Sequence, residues 1–257
     1  MRYPARYRII VFDNRGHVTL TFGEYGLAPA PGVLNEPWDV AVAPDGSVFV
    51  ADTWNHRVVK YSADGQFVTT WGSEGPNQTS PNSFWGPRGI AVDAEGLVYV
   101  ADTGNKRVMV YDGDGNFIRQ IGSGGSFEGE LDEPVGISVA ADGMVYVADT
   151  WNQRIQVFTR EGLFVRGWSV EAWFAQSNER PYLDVDTLGN LYLTDPDASR
   201  VIVFNTLGQY LYSFGDFSSL GIGGGVAVDE SGNLFVTDTE NGTLQRYIVD
   251  PTAGLVE

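Results

Sequence analysis

The chain repeats itself, and so close a repeat limits the fold more than any other feature of the sequence. Residues 50–72 read VADTWNHRVVKYSADGQFVTTWG, residues 100–122 read VADTGNKRVMVYDGDGNFIRQIG, and residues 147–168 read VADTWNQRIQVFTREGLFVRGW. One Asp recurs five times, as Asp52, Asp102, Asp149, Asp195 and Asp238, in steps of 50, 47, 46 and 43 residues. A Gly stands six residues before each of them (Gly46, Gly96, Gly143, Gly189 and Gly232). Gly72, Gly122 and Gly215 each follow their Asp by twenty residues, and Trp168 aligns with Trp71 and Phe214. Nearly all length variation therefore lies in one connection, just ahead of the next repeat. A fixed core with one variable loop is the pattern of an array of equal units.

Inside a unit the apolar pattern has period two. WDVAVAPDGSVFVADTWN predicts a strand, a Pro-Asp-Gly turn and a second strand; RVVKYSADGQFVTTWG predicts a third strand, an Ala-Asp-Gly turn and a fourth. Continuous runs such as IAVD and VYVAD fit inner strands covered on both faces. Four antiparallel strands in roughly 40–50 residues is the sequence form of a β-propeller blade. The expected fold is all-β, one propeller domain over residues 1–257 with blades at about 37–72, 87–122, 134–168, 181–215 and 223–250.

Composition narrows the partners. The net charge is −17, with no Cys and only two His. A surface this acidic repels phosphate, so nucleic acid and anionic membrane are poor partners, while cations, metal ions and neutral sugars stay open. Without Cys there are neither disulfides nor thiolate metal sites, and no compartment follows. No apolar run has the length of a signal peptide or a membrane span.

The stretches ADTWNHRVVKY, ADTGNKRVMVY and ADTWNQRIQVF resemble the NHL repeat, a propeller family named for Asn-His-Leu; here Asn55-His56-Arg57 stands at that place. The fourth unit departs with TDPDASRVIVF and the fifth with TDTENGTLQRY, where Thr243 replaces the Arg. A narrower likeness lies in GWSVEAWFAQSNERPYLDVD, which resembles NHL modules appended to multi-spanning membrane proteins of some bacteria. That likeness implies an extracytoplasmic setting, with the membrane reached only through a larger parent chain.

The ends do not close evenly. Counting back twenty residues from Gly23 places Arg8 on the Arg57 position, so residues 8–12 and 17–22 read as strands three and four of a partial blade over 7–23. At the other end 226–238 and 244–249 supply strands one to three, and TAGLVE fills the fourth slot with little strand character. Two arrangements fit: a five-bladed ring with a surplus strand, or part of a six-bladed ring. The NHL resemblance, whose members usually have six blades, implies the second.

The Asp, Asn and Arg repeated in each unit read as architecture, since Asx side chains bond nearby backbone N–H groups and the Arg reaches back to a carboxylate. Function belongs where the units differ. The turn from strand two to three and the loop from strand four to the next strand one open on the same face, so the variable loops 73–86, 123–133, 169–180 and 216–222 share it. Trp54 and Trp151 stand in the turns, where the second unit has Gly104, and Phe84, Trp85, Trp173 and Phe174 stand in the loops. The residue after the Pro opening strand one borders the channel mouth: Trp38, Arg88, Val135 and, approximately, Tyr182. The binding candidates are Trp38, Trp54, Trp85, Arg88, Trp151, Trp173 and Tyr182, because exposed aromatics bind sugar faces, cations and proteins. Trp71 and Trp168 read as packing residues.

Some propellers similar to this one are zinc- or calcium-dependent lyases and lactonases. Zinc needs several imidazoles, and His17 and His56 fall on opposite faces. Calcium would draw on Asp39, Glu36, Glu133 and Asp184, a weak signal in so acidic a chain. There is no nucleophile elbow, phosphate loop or dinucleotide fingerprint. The RNA-binding branch of the NHL family uses a basic face, which Arg88 alone does not make. The sequence therefore points to a binding or scaffold propeller without catalytic residues or a required cofactor, offering aromatics to a protein, peptide or glycan. A metal-dependent lyase or lactonase, calcium being the cofactor to consider, is the alternative.

Overall fold

The computed structural model describes residues 7–26, 30–76, 80–173, 181–220 and 223–249. The chain divides into two compact units, Met1–Gln120 and Ile121–Glu257. It is all-β and builds the four-stranded antiparallel blades of a propeller, as the repeat predicts. In the first unit, blade I pairs Pro37–Val42, Val48–Asp52, Arg57–Tyr61 and Phe67–Trp71 in chain order. Blade II pairs Gly89–Val92, Val98–Asp102, Arg107–Tyr111 and Phe117–Ile121, its last residue falling past the division. In the second unit, blade III is Pro134–Val139, Val145–Asp149, Arg154–Phe158 and Phe164–Ser169; blade IV is Leu183–Val185, Leu191–Asp195, Arg200–Phe204 and Tyr210–Phe214. Blade V has three strands, Gly223–Val228, Asn233–Asp238 and Thr243–Ile248. Residues 252–257, read as a weak fourth strand, lie outside the described residues.

The N-terminal pair Ile9–Phe12 and Val18–Phe22 forms a two-stranded antiparallel sheet where the register count put strands three and four. Tyr7, Ile9 and Phe22 pack against Leu34, Val48, Val50, Val59 and Tyr61 of blade I. Elsewhere the core lies between neighbouring sheets. Phe49, Ala51 and Val58 of blade I meet Ile90, Val98, Val100, Met109 and Tyr111 of blade II; Ile155 and Val157 of blade III meet Leu183, Leu191 and Leu193 of blade IV. Second and third strands are buried because both faces of each sheet are covered. The first hairpins close on a Gly in the left-handed region (Gly46, φ 83°), which explains the invariant glycine.

The repeated Asp, Asn and Arg form one buried node per blade. In blade II, Asp102 Oδ2 accepts from Asn105 Nδ2 (2.9 Å) and Arg107 Nε (2.9 Å), and Asp102 Oδ1 accepts the Trp85 N–H (2.8 Å). Arg107 Nη2 then donates to the carbonyls of Ser80 and Ser83, each at 2.8 Å. The node thus ties the second-to-third turn to the loop that enters the same blade. Blade I repeats it with Asp52, Asn55 and Arg57 on the Asn35 N–H and the Ala30 and Val33 carbonyls. Blade III does so with Asp149, Asn152 and Arg154 on the Asp132 N–H and the Phe127 and Glu130 carbonyls. Burial pushes the Asp102 and Asp149 carboxyls up from their ordinary range, against the pull of these donors.

Where the repeat departs, the node is rebuilt or thinned. Blade V has Thr243 in place of Arg, and Gln245 Nε2 supplies the reach, donating to the Ser219 carbonyl (2.9 Å) and to Asp238 Oδ2 (3.4 Å). Blade III already holds a Gln at that position, Gln156, on Asp149 Oδ2 (3.0 Å). In blade IV, Ala198 stands where the others have Asn, and Arg200 holds Asp195 Oδ2 at 2.7 Å with 37% of its side chain exposed. Arg107 is 1% exposed on the same measure. Removing one partner of a buried pair strands the other charge, whereas a part-exposed pair is screened by water. Arg107→Ala should therefore lower unfolding free energy by about 3–5 kcal/mol, and Arg200→Ala by less, since water reaches the Arg200 end of its pair although Asp195 itself is buried. Urea denaturation of the two variants checks the order; equal losses would refute it.

Candidate functional site

In blades I to IV the node ends in a one-turn 3-10 helix: Thr53–Asn55, Thr103–Asn105, Thr150–Asn152 and Pro196–Ala198. The turn closes on a residue in the left-handed region: His56, Lys106, Gln153 or Ser199. In the first three turns the middle residue gives its N–H to a loop carbonyl, Trp54 to Asn35 (3.2 Å), Gly104 to Trp85 (2.9 Å) and Trp151 to Asp132 (3.1 Å). The side chain at this position consequently stands outward on a backbone held at both ends. Trp54 is 50% and Trp151 49% exposed.

Blade II lacks a tryptophan in its turn and receives one from its loop. Trp85 lies over Gly104 so closely that a Cβ on Gly104 would come within 1.9 Å of Trp85 Cδ1. Trp85 is 41% exposed and stacks on His56 of the preceding turn, centroids 5.3 Å apart with the planes at 24°. The His56 ring stands edge-on to Trp54 at 6.5 Å and 88°. His56 Nδ1 accepts the Gly86 N–H at 3.0 Å, so this imidazole is neutral, with its proton on Nε2. Burial pushes its pKa down, while Glu74 and Asp102 act in the opposite sense. Glu36 completes the row. Its Oε2 accepts Trp54 Nε1–H at 2.8 Å and its Oε1 accepts the Tyr7 hydroxyl at 3.0 Å.

The other candidates divide. Trp38 and Arg88 meet each other, the guanidinium 4.3 Å from the ring centroid, and both are half-buried. Trp173, expected among the exposed aromatics, is buried at 3% in the core between blades III and IV. Phe84 is corrected likewise: it is wholly buried between blades I and II, in the place that Leu34 and Leu131 fill in other loops. Tyr182 is buried too, and its register is settled. Leu183 pairs with Leu193 as Ile137 does with Val147, so Tyr182 matches Gly136 and not Val135. Val135 itself is fully buried. Phe174 lies outside the described residues. Trp71 and Trp168 pack as read, Trp71 against Phe49 and Tyr111, Trp168 against Phe204. The loops contain short parallel pairings that the sequence pattern did not reveal, Ser73–Glu74 with Ser83–Phe84 and Glu24–Tyr25 with Val33–Leu34.

Three of the four carboxylates weighed for calcium, Glu36, Asp39 and Asp184, have protein partners. Asp39 accepts the N–H groups of Val40 (2.8 Å) and Ile90 (2.9 Å), which buckles blade I to blade II. Asp184 accepts Ser138 Oγ (2.7 Å) and the N–H groups of Val185 (2.9 Å) and Val228 (2.8 Å), joining blades III, IV and V, and burial raises its pKa. Among the described residues no three or more His, Asp or Glu side chains are grouped to hold a metal ion. His17 is exposed beside Asp13 (3.1 Å) and His56 is buried under Trp85.

A profile of the NHL repeat matches residues 34–61, 84–111, 131–158 and 224–247, each containing the node Asp and the two strands around it. The chain belongs to the NHL-repeat propellers. Over 41 residues this NHL chain is 54% identical to peptidylglycine alpha-amidating monooxygenase of Rattus norvegicus and 51% identical to that of Mus musculus. The match covers 15% of this chain and 4% of those enzymes. Among solved structures, the nidogen/laminin complex contains a chain with TM-score 0.67 and 20% identity, covering 94% of this chain and 85% of that one. Virginiamycin B lyase from Staphylococcus aureus, solved with quinupristin in a catalytically inactive form, gives TM-score 0.62 and 14% identity over 96% of this chain and 78% of that one. At these identities the likeness is one of fold.

Two outcomes test the aromatic row. Gly104→Ala should expel Trp85 from its stack and cost about 1–3 kcal/mol, read as a change in tryptophan emission and a lower urea midpoint; unchanged emission would contradict the geometry. His56 binds its proton more weakly in the folded chain than in the unfolded one, where the pKa is about 6.5. Its contribution is therefore present above about pH 6.5 and lost as pH falls through the lower folded value. Between about pH 8 and pH 5, stability should fall more steeply in the parent than in His56→Gln; parallel profiles would rule His56 out.

Proposed function

We propose that this NHL propeller is a protein-binding module that docks its partner through the tryptophan-bearing turns of its blades. The observation that carries this reading is the half-exposure of Trp54 and Trp151, each on a turn fixed from beneath by a buried Asp–Asn–Arg node in its own unit, and of Trp85, laid over the corresponding turn of blade II. Indoles on a rigid backbone lose little conformational freedom on binding, and tryptophan is the residue most enriched at binding hot spots. A Gly in blade II that leaves room for a loop tryptophan supports the same reading, since packing alone would be served by a smaller loop residue. The nidogen chain seen with laminin supports protein binding as a use of this fold.

Separate replacement of Trp54, Trp85 and Trp151 by Ala should lower the urea midpoint only modestly and leave the chain folded, because about half of each indole lies outside the core. Capture of partner proteins from the source cells, compared with a Trp71→Phe control, should fall at least about tenfold for one or more of the three. Undiminished capture by all three variants would end this reading.

A further inference from the structure

We propose that the shelf formed by Trp54 and Trp85 in the first unit receives a cationic side chain of the partner, an arginine or lysine, over the indole of Trp85, with Glu36 and Glu74 as its counter-charges. This rests on the docking reading above and names the chemistry of one of its contacts.

His56 stacks on one side of Trp85 and Gly104 lies against its Cγ and Cδ1, and the 41% of the residue that remains exposed is open to an incoming group. The negative face of an indole attracts ammonium and guanidinium groups within about 6 Å of its centre. Two carboxylates lie near the shelf, Glu36 on Trp54 and Glu74 close enough to His56, beneath Trp85, to act on its charge. Glu36 is bound to the Trp54 indole N–H, and Glu74 lies beside Phe84, next to Trp85, in the short parallel pairing. The donors on Glu36 are a phenol and an indole, both neutral, so its charge is not cancelled. Glu36 also occupies a backbone position with φ 47°, matched in blade II by Gly86 at φ 61°. A left-handed φ disfavours a side chain there, yet blade I keeps the carboxylate, as blade III does with Glu133 at φ 45°.

The two arginines of these turns point away from the shelf, while Lys106 closes the blade II turn. Arg57 and Arg107 donate inward to Asp52, Asp102 and the loop carbonyls. His56, which lies under the shelf, accepts a hydrogen bond at Nδ1 and carries no charge to repel a cation. The same unit already stacks a guanidinium on an indole, Arg88 on Trp38 at 4.3 Å. A neutral sugar would use the indole but gain nothing from the carboxylates, and a phosphate would be repelled by them.

The test titrates the full chain, with 15N-labelled tryptophan, with a capped Gly-Arg-Gly peptide and with its citrulline analogue, which keeps the shape and loses the charge. The arginine peptide should shift the Trp85 indole resonance and leave Trp71 unmoved, and citrulline should bind about tenfold more weakly. Glu36→Gln and Glu74→Gln should each weaken the arginine peptide and not the citrulline one, and added salt should act in the same direction. Equal binding of the two peptides overturns the proposal, as does a Trp85 resonance that neither moves. If partner capture still depends on Trp54 or Trp85 in that event, the docking reading survives and only the cation is lost. If capture is independent of both, the docking reading fails at this shelf as well. A preference for a neutral oligosaccharide over the arginine peptide at Trp85 would also overturn it.

Discussion

A single buried carboxylate organises each blade. Asp52, Asp102 and Asp149 each accept a loop N–H, an Asn amide and an Arg guanidinium, and the Arg goes on to hold carbonyls of the loop entering its own blade. An ionised carboxylate out of water is tolerated only when its lone pairs are met by donors and its charge by a cation, and the node supplies both. Because the same group binds turn and loop together, the surface built from them is placed by the interior. The exposed tryptophans owe their positions to this linkage more than to contacts of their own.

The linkage tolerates variation in a physically ordered way. Where Thr243 removes the Arg, Gln245 donates to both the Asp and the loop, a neutral substitute with two N–H groups. Where Ala198 removes the Asn, the Asp keeps its Arg, and Asp195 Oδ1 has no partner among the described residues. The loops are secured a second time by one apolar residue each, Leu34, Phe84 or Leu131, wholly buried at the same distance before a proline. Polar node and apolar plug together leave the residue next to the plug at the surface. In blade II that residue is Trp85.

How much was legible in the sequence follows from which contacts are local. The spacing of Asp and Gly placed the strands, the hairpins and the partial blade at residues 7–23, because strand alternation and tight turns are set by near neighbours. The pairing of Asp with Arg five residues on was legible for the same reason. The exposure of Trp54 and Trp151 followed from the turn they share. Trp85 over Gly104 carried a signal that single-residue reading passes over: the turn of blade II has Gly where its neighbours have Trp, and the loop entering the same blade carries a Trp. Nothing local signalled that Glu36 would bind Trp54, eighteen residues away, or that His56 would lie beneath Trp85, twenty-nine away.

By itself the sequence determined the blade, the node and the loops in which the blades differ, since these depend on period, turn chemistry and a motif that fits within one hairpin. Only the tertiary structure decided which aromatics are exposed. Phe84 and Trp85 are adjacent, yet the first is fully buried and the second 41% exposed. Trp173 goes into the core and Tyr182 lands a register step from its expected place. Strand periodicity ends where a loop begins, and beyond it the direction of a side chain is set by where the Arg and the apolar plug hold the backbone, contacts made across some twenty to thirty residues of chain.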